Sequence, residues 1–372
     1  MFIGKKFQFN AVLLLLFSLT VVFSNSASAA DADYEVMSTV SEDKCINILV
    51  DTGNIAGEQK FYYNGHVVDA PDDYFSISDA KIDGERVGFI AWKTPNDGGL
   101  GEVFVDDESF GSVISWTGYD PKSANSLDYS MVTNFNYQLN ISGDHVAYLR
   151  LVGFTAVSQA KADAGYKGNP IFHVILDGKD LGEISSQSKI HFNGNNLIYS
   201  KLVKGKSHVF ANNKDLGLGV VGDFDGKNKS LVNDKFNLYY NGKKVTNLAG
   251  MSELSLKNGS LSYVKGPVYN ANVYYKGKKV GKGTLPKIEG KNFAYVAGSN
   301  NKYTLIYNNK KIGNVFDLSI SSQPYMLVKN HFAFMQGDVG QSSQGSANID
   351  GKLLNTVVGK SIQISLKEDC EI

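Results

Sequence analysis

The stretch "SGDHVAYLR" (142–150), followed by "FHVILDGKDLGEI" (172–184), decides how this chain is read. Each half holds two short runs of β-branched and aromatic residues about a tight turn containing Gly or Asp, which is the grammar of an antiparallel hairpin. The pair recurs as "NGNNLIYSK" (193–201) with "HVFANNKDLG" (208–217), and as "NGSLSYVKG" (258–266) with "NVYYKGKKVG" (272–281). It recurs again as "EGKNFAYVA" (289–297) with "YTLIYNNKKIG" (303–313). The unit is therefore a strand, a tight turn, a strand carrying an aromatic, a connection, a third strand, a second tight turn and a short fourth strand. No long stretch shows helical period.

The second turn marks the repeat. It falls at Asn64-Gly65, Asp106-Asp107, Asp177-Gly178, Asn212-Asn213, Asn241-Gly242, Lys276-Gly277, Asn308-Asn309 and Asp350-Gly351, at intervals of 42, 71, 35, 29, 35, 32 and 42 residues. Four-stranded units at roughly 40 residues have the spacing of propeller blades. A parallel β-helix repeats at shorter intervals, and a sandwich carries no such repeat. Two insertions fill the long interval, "SWTGYDPKSANSLDYSMVTNFN" (115–136) and "GFTAVSQAKADAGYKGNP" (153–170).

Seven units are complete, over about 79–114, 137–184, 189–219, 220–248, 252–283, 285–315 and 324–357, the fourth of them shortened. Two remnants are left. "CINILV" (45–50) and "KFYYNGHVVDA" (60–70) match strands two to four, and "KSIQISL" (360–366) matches a lone first strand. Together they predict an eighth blade built from both ends of the chain, with seven blades as the alternative should a remnant or the shortened unit not form one. The expected fold is an all-β propeller of four-stranded antiparallel blades. The pattern also resembles the repeats of secreted and periplasmic bacterial propellers of the TolB-like and WD-repeat-like kind. It lacks the "SPDG" turn of the former and the Trp-Asp pair of the latter, so the resemblance implies a propeller and carries over no functional residue.

Lys5 and Lys6, the apolar run 11–23 and "ASAA" (27–30) read as a signal peptide over 1–29, followed by a flexible segment 30–44 and a propeller domain 45–372. The reading expects an extracytoplasmic, monomeric protein, periplasmic or secreted, with no membrane span after cleavage. In that oxidising setting the only two cysteines, Cys45 and Cys370, are expected to form a disulfide where the seam blade lacks its first turn.

Charge sums to zero but divides unevenly, with 25 acidic against 10 basic residues over 31–183 and 12 against 25 over 184–372. The basic residues are mostly lysines on turns rather than arginine clusters, which argues against a nucleic-acid partner.

In a four-stranded blade, the turns between strands one and two and between strands three and four share one face. The other connections share the opposite face. The first set is uniformly tight here. Every sizeable insertion (93–101, 115–136, 153–170 and 336–346) belongs to the second set, so all are expected on one face, where binding loops usually lie. Candidate binding residues in or beside them are Trp92, Asp97, Trp116, Tyr119, Asp120, Tyr129, Phe154, Tyr166, Gln336 and Asp338. Aromatics there suit stacking on sugars or anchoring a protein; packing of the loops on one another is the plainer reading.

No cofactor is expected. "GDFDGKNKSLV" (222–232) begins like a calcium loop but has Lys227 and Leu231 where oxygen ligands are needed, so a hairpin is favoured. The six histidines stand at no triad or metal spacing, and no nucleophile elbow or phosphate loop is present. The leading expectation is a binding scaffold engaging a protein or an envelope polysaccharide. The alternatives are a glycoside hydrolase or lyase using two channel carboxylates about 5–10 Å apart, and a structural envelope component.

Overall fold

The structure is a computed structural model. It describes residues 46–366 apart from 56–57, 65, 94–99, 116–135, 156–167, 185–188, 251–252, 268–270, 300–301, 316–324, 338–344 and 360. Among the described residues there are 32 strands and no helix, hence no helix long and apolar enough to cross a membrane.

The strands group in fours. The seam sheet runs His66–Val67, Glu58–Tyr63, Ile46–Ile55, Ser361–Leu366 in spatial order, so one strand from the end of the chain pairs with three from its beginning. Ile46 faces Leu366 and Asp51 faces Ser361 in antiparallel register. Sheets 2 to 6, at 76–112, 140–183, 191–218, 221–247 and 254–282, each order their strands as the chain does. The last eight strands form sheets 7 (284–315) and 8 (325–359), joined through one residue pair, Val315 with Gln336. The unit at 220–248, short as it is, makes a complete four-stranded sheet.

Sequence explains the turns. At seven of the eight second turns the first residue is Asn or Asp, at φ between 46° and 52°, a left-handed conformation these side chains tolerate best after Gly. Its side-chain oxygen accepts the backbone N–H at or near the head of the second strand, as Asp177 does from Val146 at 2.8 Å and Asn308 from Phe293 at 2.9 Å. At six of the seven its other atom meets the side chain just before that N–H, while Asn212 Nδ2 donates to the Asn195 carbonyl. Asparagine turns meet asparagine (Asn64 with Asn47, Asn241 with Asn228, Asn308 with Asn292). Aspartate turns meet a basic side chain (Asp106 with Arg86, Asp177 with His145, Asp350 with His331). Five of the six histidines thus stand beside an aspartate on the sheets, counting His173 with Asp180, His208 with Asp215 and, at 3.4 Å, His191 with Asp223. The eighth turn has Lys276 at φ 50°.

Sheets 2 to 8 each carry a register shift between third and fourth strands, as between Val209 and Phe210 or Val273 and Tyr274. Such bulges twist the outermost strand and blunt an otherwise open edge.

The core is eight apolar clusters, each between two successive sheets. Trp92, Val103 and Tyr137 join sheets 2 and 3; Tyr199 and Phe210 meet Leu149 and Val174 between sheets 3 and 4; Ile288, Phe293 and Tyr295 meet Val264 and Val273 between sheets 6 and 7. The seam sheet packs on both flanks, with Leu49 and Phe61 against Phe89 and Phe104 of sheet 2, and Ile48, Ile362 and Ile364 against Met335 and Ile349 of sheet 8. Four-stranded antiparallel sheets packed face to face in succession define a β-propeller.

Candidate functional site

All four sizeable connections leave from the same ends of their sheets. They follow second strands at Trp92, Phe154 and Gln336 and a fourth strand at Ser112. We call this side the loop face and the opposite side, with its Asn-Gly and Asp-Gly turns, the turn face.

Of the ten residues singled out by sequence, Asp97, Trp116, Tyr119, Asp120, Tyr129, Tyr166 and Asp338 lie outside the described residues. Trp92 corrects the sequence reading. It is 2% exposed, its ring lies over Gly101, where a Cβ would come within 2.6 Å of it, and its Nε1 donates to Ser78 at 2.9 Å. It is a core residue, because the strand carries it between two sheets before the connection begins. Phe154 is half-buried against the same cluster, and Gln336 accepts from Asn348 Nδ2 at 3.0 Å beside the link between sheets 7 and 8. Cys45 and Cys370 lie outside the described residues as well.

The structure supplies residues that sequence reading missed. Among the described residues eight large apolar side chains are exposed, and five of them sit at the loop face: Phe75 and Leu100 on sheet 2, Leu202 and Leu218 on sheet 4, and Phe236 on sheet 5. Phe75 is 67% exposed and its N–H donates to the Trp92 carbonyl, which fixes it beside the end of the second strand. Phe236 is 39% exposed at φ 57°. A bulky residue in that region is strained, and such strain gathers at functional positions. Its N–H donates to Asn233 and its carbonyl accepts from Leu248, so the backbone holds the ring outward. In sequence each of these looks like an ordinary apolar residue beside a strand. The remaining three, Val67, Val245 and Leu353, lie on fourth strands at the outer edge.

The first strands carry a second arrangement. Polar side chains there reach from one sheet to the backbone of the next. Gln363 donates to the Ala80 carbonyl, Asp79 accepts from Leu139 N–H, and Gln138 accepts from Ile190 N–H, each at 2.8 Å. Asn193 donates to Asp223 at 2.9 Å, which accepts from Leu256 N–H at 2.7 Å; Glu253 accepts from Leu285 N–H at 2.6 Å; Lys287 donates to the Tyr325 carbonyl at 3.1 Å. These bonds span seven successive junctions, from the seam sheet through to sheet 8. The carboxylates Asp79, Asp223 and Glu253 thus hold backbone donors in place. Among the described residues no group of three or more His, Cys, Asp or Glu is placed to hold a metal ion.

In the hairpin at 221–232, Asp225 accepts from the N–H groups of Lys227, Asn228 and Gly259. Burial works against its ionisation, but these donors outweigh that and hold its carboxyl below the usual range. Lys287 is a buried cation at the junction of sheets 7 and 8. Desolvation, with like-charge repulsion from Lys81 added, pushes its ammonium down to about 8.

No family model matches this chain, and no curated protein matches it significantly. Solved structures do. The chain is similar to the computationally designed Ika8 protein at 11% identity, covering 77% of this chain and 88% of that one with a TM-score of 0.42. It is similar to the β-propeller domain of the Trilobed protease from Pyrococcus furiosus at 11% identity, covering 76% and 96% with a TM-score of 0.39. TolB from Acinetobacter baumannii is matched at 13% identity over 63% of this chain and 62% of that one, with a TM-score of 0.28. The propeller assignment itself rests on the sheets and clusters described above.

Proposed function

We propose that this chain is an extracytoplasmic binding scaffold, a ring of eight blades closed by the seam sheet, that docks a protein partner on its loop face. The reading of a closed ring is supported by the succession of apolar clusters, which passes from sheet to sheet and meets the seam sheet from both sides. The observation that carries the functional reading is the gathering of Phe75, Leu100, Leu202, Leu218 and Phe236 on the side from which every long connection departs. Soluble proteins scatter single apolar residues, but a strained phenylalanine and several exposed leucines on the side of the long connections mark an interaction surface. Exposed leucine and phenylalanine favour an apolar protein anchor over a sugar, which stacks on flat aromatic faces and takes polar contacts. Export through the segment 1–29 and a bond between Cys45 and Cys370 belong to this proposal.

The test compares the immobilised mature chain with the variant Phe75→Asp/Leu218→Asp/Phe236→Asp and with Val245→Asp, whose site is on the outer edge. Retention of envelope proteins from a cell-surface extract should be lost with the triple variant and kept with Val245→Asp. Unchanged retention by a folded triple variant would remove the loop-face reading.

A further inference from the structure

The outer edges of the sheets carry a second surface, separate from the loop face. Residues 221–315, which form sheets 5, 6 and 7, hold sixteen lysines, no arginine and five acidic residues, a net charge of +11. In each of these sheets the fourth strand opens with two lysines directly after the tight turn: Lys243 and Lys244, Lys278 and Lys279, Lys310 and Lys311. All six are exposed, and none makes an ion pair among the described residues. The acidic residues of the same sheets are used elsewhere. Asp223, Asp225 and Glu253 accept backbone N–H groups, and Glu289 pairs with Lys257 at 3.5 Å. Asp234 alone is exposed without such a bond, and it lies on the connection between second and third strands, at the loop face.

The flanking sheets repeat the first lysine of the pair, as Lys179, Lys214 and Lys352. The seam sheet and sheet 2 have His66 and Glu108 there. The result is a row of cations at one height along the outer edges of six consecutive sheets, doubled over three of them.

Lysine on an edge strand also discourages strand pairing between molecules, and one lysine per edge serves that purpose. Doubling without a carboxylate partner over three neighbours goes beyond it. We infer that this row is a docking surface for a flexible linear polyanion, one whose repeating phosphate groups meet the paired lysines of successive sheets. Lysine rather than arginine suits this: a point charge on a long stem neutralises anions without demanding a fixed bidentate geometry. A flat anionic membrane fits less well. The lysines stand on the outermost strands of successive sheets, and the large apolar residues exposed on those strands, Leu218, Val245 and Leu353, give no aromatic wedge.

The experiment titrates the full mature chain with long-chain inorganic polyphosphate across a range of salt, and with orthophosphate as the monomer. The row predicts binding to the polymer at least tenfold tighter than to orthophosphate. It also predicts that log K falls linearly with log salt with a slope of about −4, six contacts at the single-strand value. Replacing the six paired lysines by glutamine should weaken binding at least tenfold and flatten that slope, whereas Lys204→Gln/Lys206→Gln, on the loop face of sheet 4, should leave both unchanged. The melting temperature of each variant checks folding. Equal binding by the six-lysine variant and the parent would overturn the inference and leave the lysines as edge guards. Binding only to phosphatidylglycerol vesicles and not to the polymer would overturn it in favour of a membrane surface.

Discussion

Asp350 carries three tasks in one side chain. It sits at φ 52°, accepts the Phe332 N–H at 2.9 Å and meets His331 Nδ1 at 2.8 Å, which closes the turn onto the strand two removed in sequence. Alanine keeps none of the hydrogen bonds and tolerates the left-handed backbone less well, so Asp350→Ala should cost about 1–3 kcal/mol by denaturant unfolding. The turn at Lys276 supplies the converse. It has the left-handed backbone, and its N–H donates to the Leu261 carbonyl at 3.0 Å, but its side chain has no oxygen to return to the strand. Lys276→Asn should therefore raise stability by about 1 kcal/mol, and a loss would mean that the clamp contributes nothing at its sister turns. Half of this device is legible in sequence, since Asn or Asp at seven of the eight turns announces a left-handed residue. The pairing of aspartate with His145, His331 or Arg86, and of asparagine with asparagine, appears only once the two strands lie side by side.

Among elements, the strand Ser361–Leu366 has the largest separation in sequence from its neighbour, and its register with Ile46–Ile55 holds the two ends of the chain together. The composition of both remnants announced this pairing, because a first strand without successors and three strands without a first complete one unit. Burial of Ile48, Ile362 and Ile364 against sheet 8 supplies the driving force, and hydrogen bonding of one edge to the other fixes the register. A bond between Cys45 and Cys370 would enclose 326 residues, for which loop-closure entropy gives about 6 kcal/mol. Cys45→Ser should lower the melting temperature, and adding Cys370→Ser should lower it no further. Additive losses would show that the two thiols act independently.

For the whole molecule, the bonds between first strands set the chemistry of the interior. Lys287 is the informative member, since its ammonium is held down to about 8 against an ordinary 10.5. The folded state thus binds this proton less readily than the unfolded chain does, so stability rises as pH climbs from about 8 to 10.5. Thermal unfolding should show that rise in the parent and lose it in Lys287→Met, while a slope equal in both proteins would place the effect elsewhere. The same scale governs the candidate site. That long connections leave on one side follows from counting strands, but Trp92 read as a loop aromatic and proved to be core, while nothing in the sequence singled out Phe75 and Phe236, which are exposed.

The repeat of turns and alternating runs, by itself, determined the four-stranded unit, the seam shared by the two ends and the face from which the insertions project. Those depend on local backbone preference and on a side-chain period of two, both written along the chain. Only the tertiary structure decided which apolar residues are solvent-facing, which carboxylates hold the neighbouring strand's N–H groups, and that the paired lysines of three separate units stand in one row. Exposure and charge alignment depend on distances between residues 30 or more apart in sequence, and a linear pattern does not encode those distances until the sheets pack.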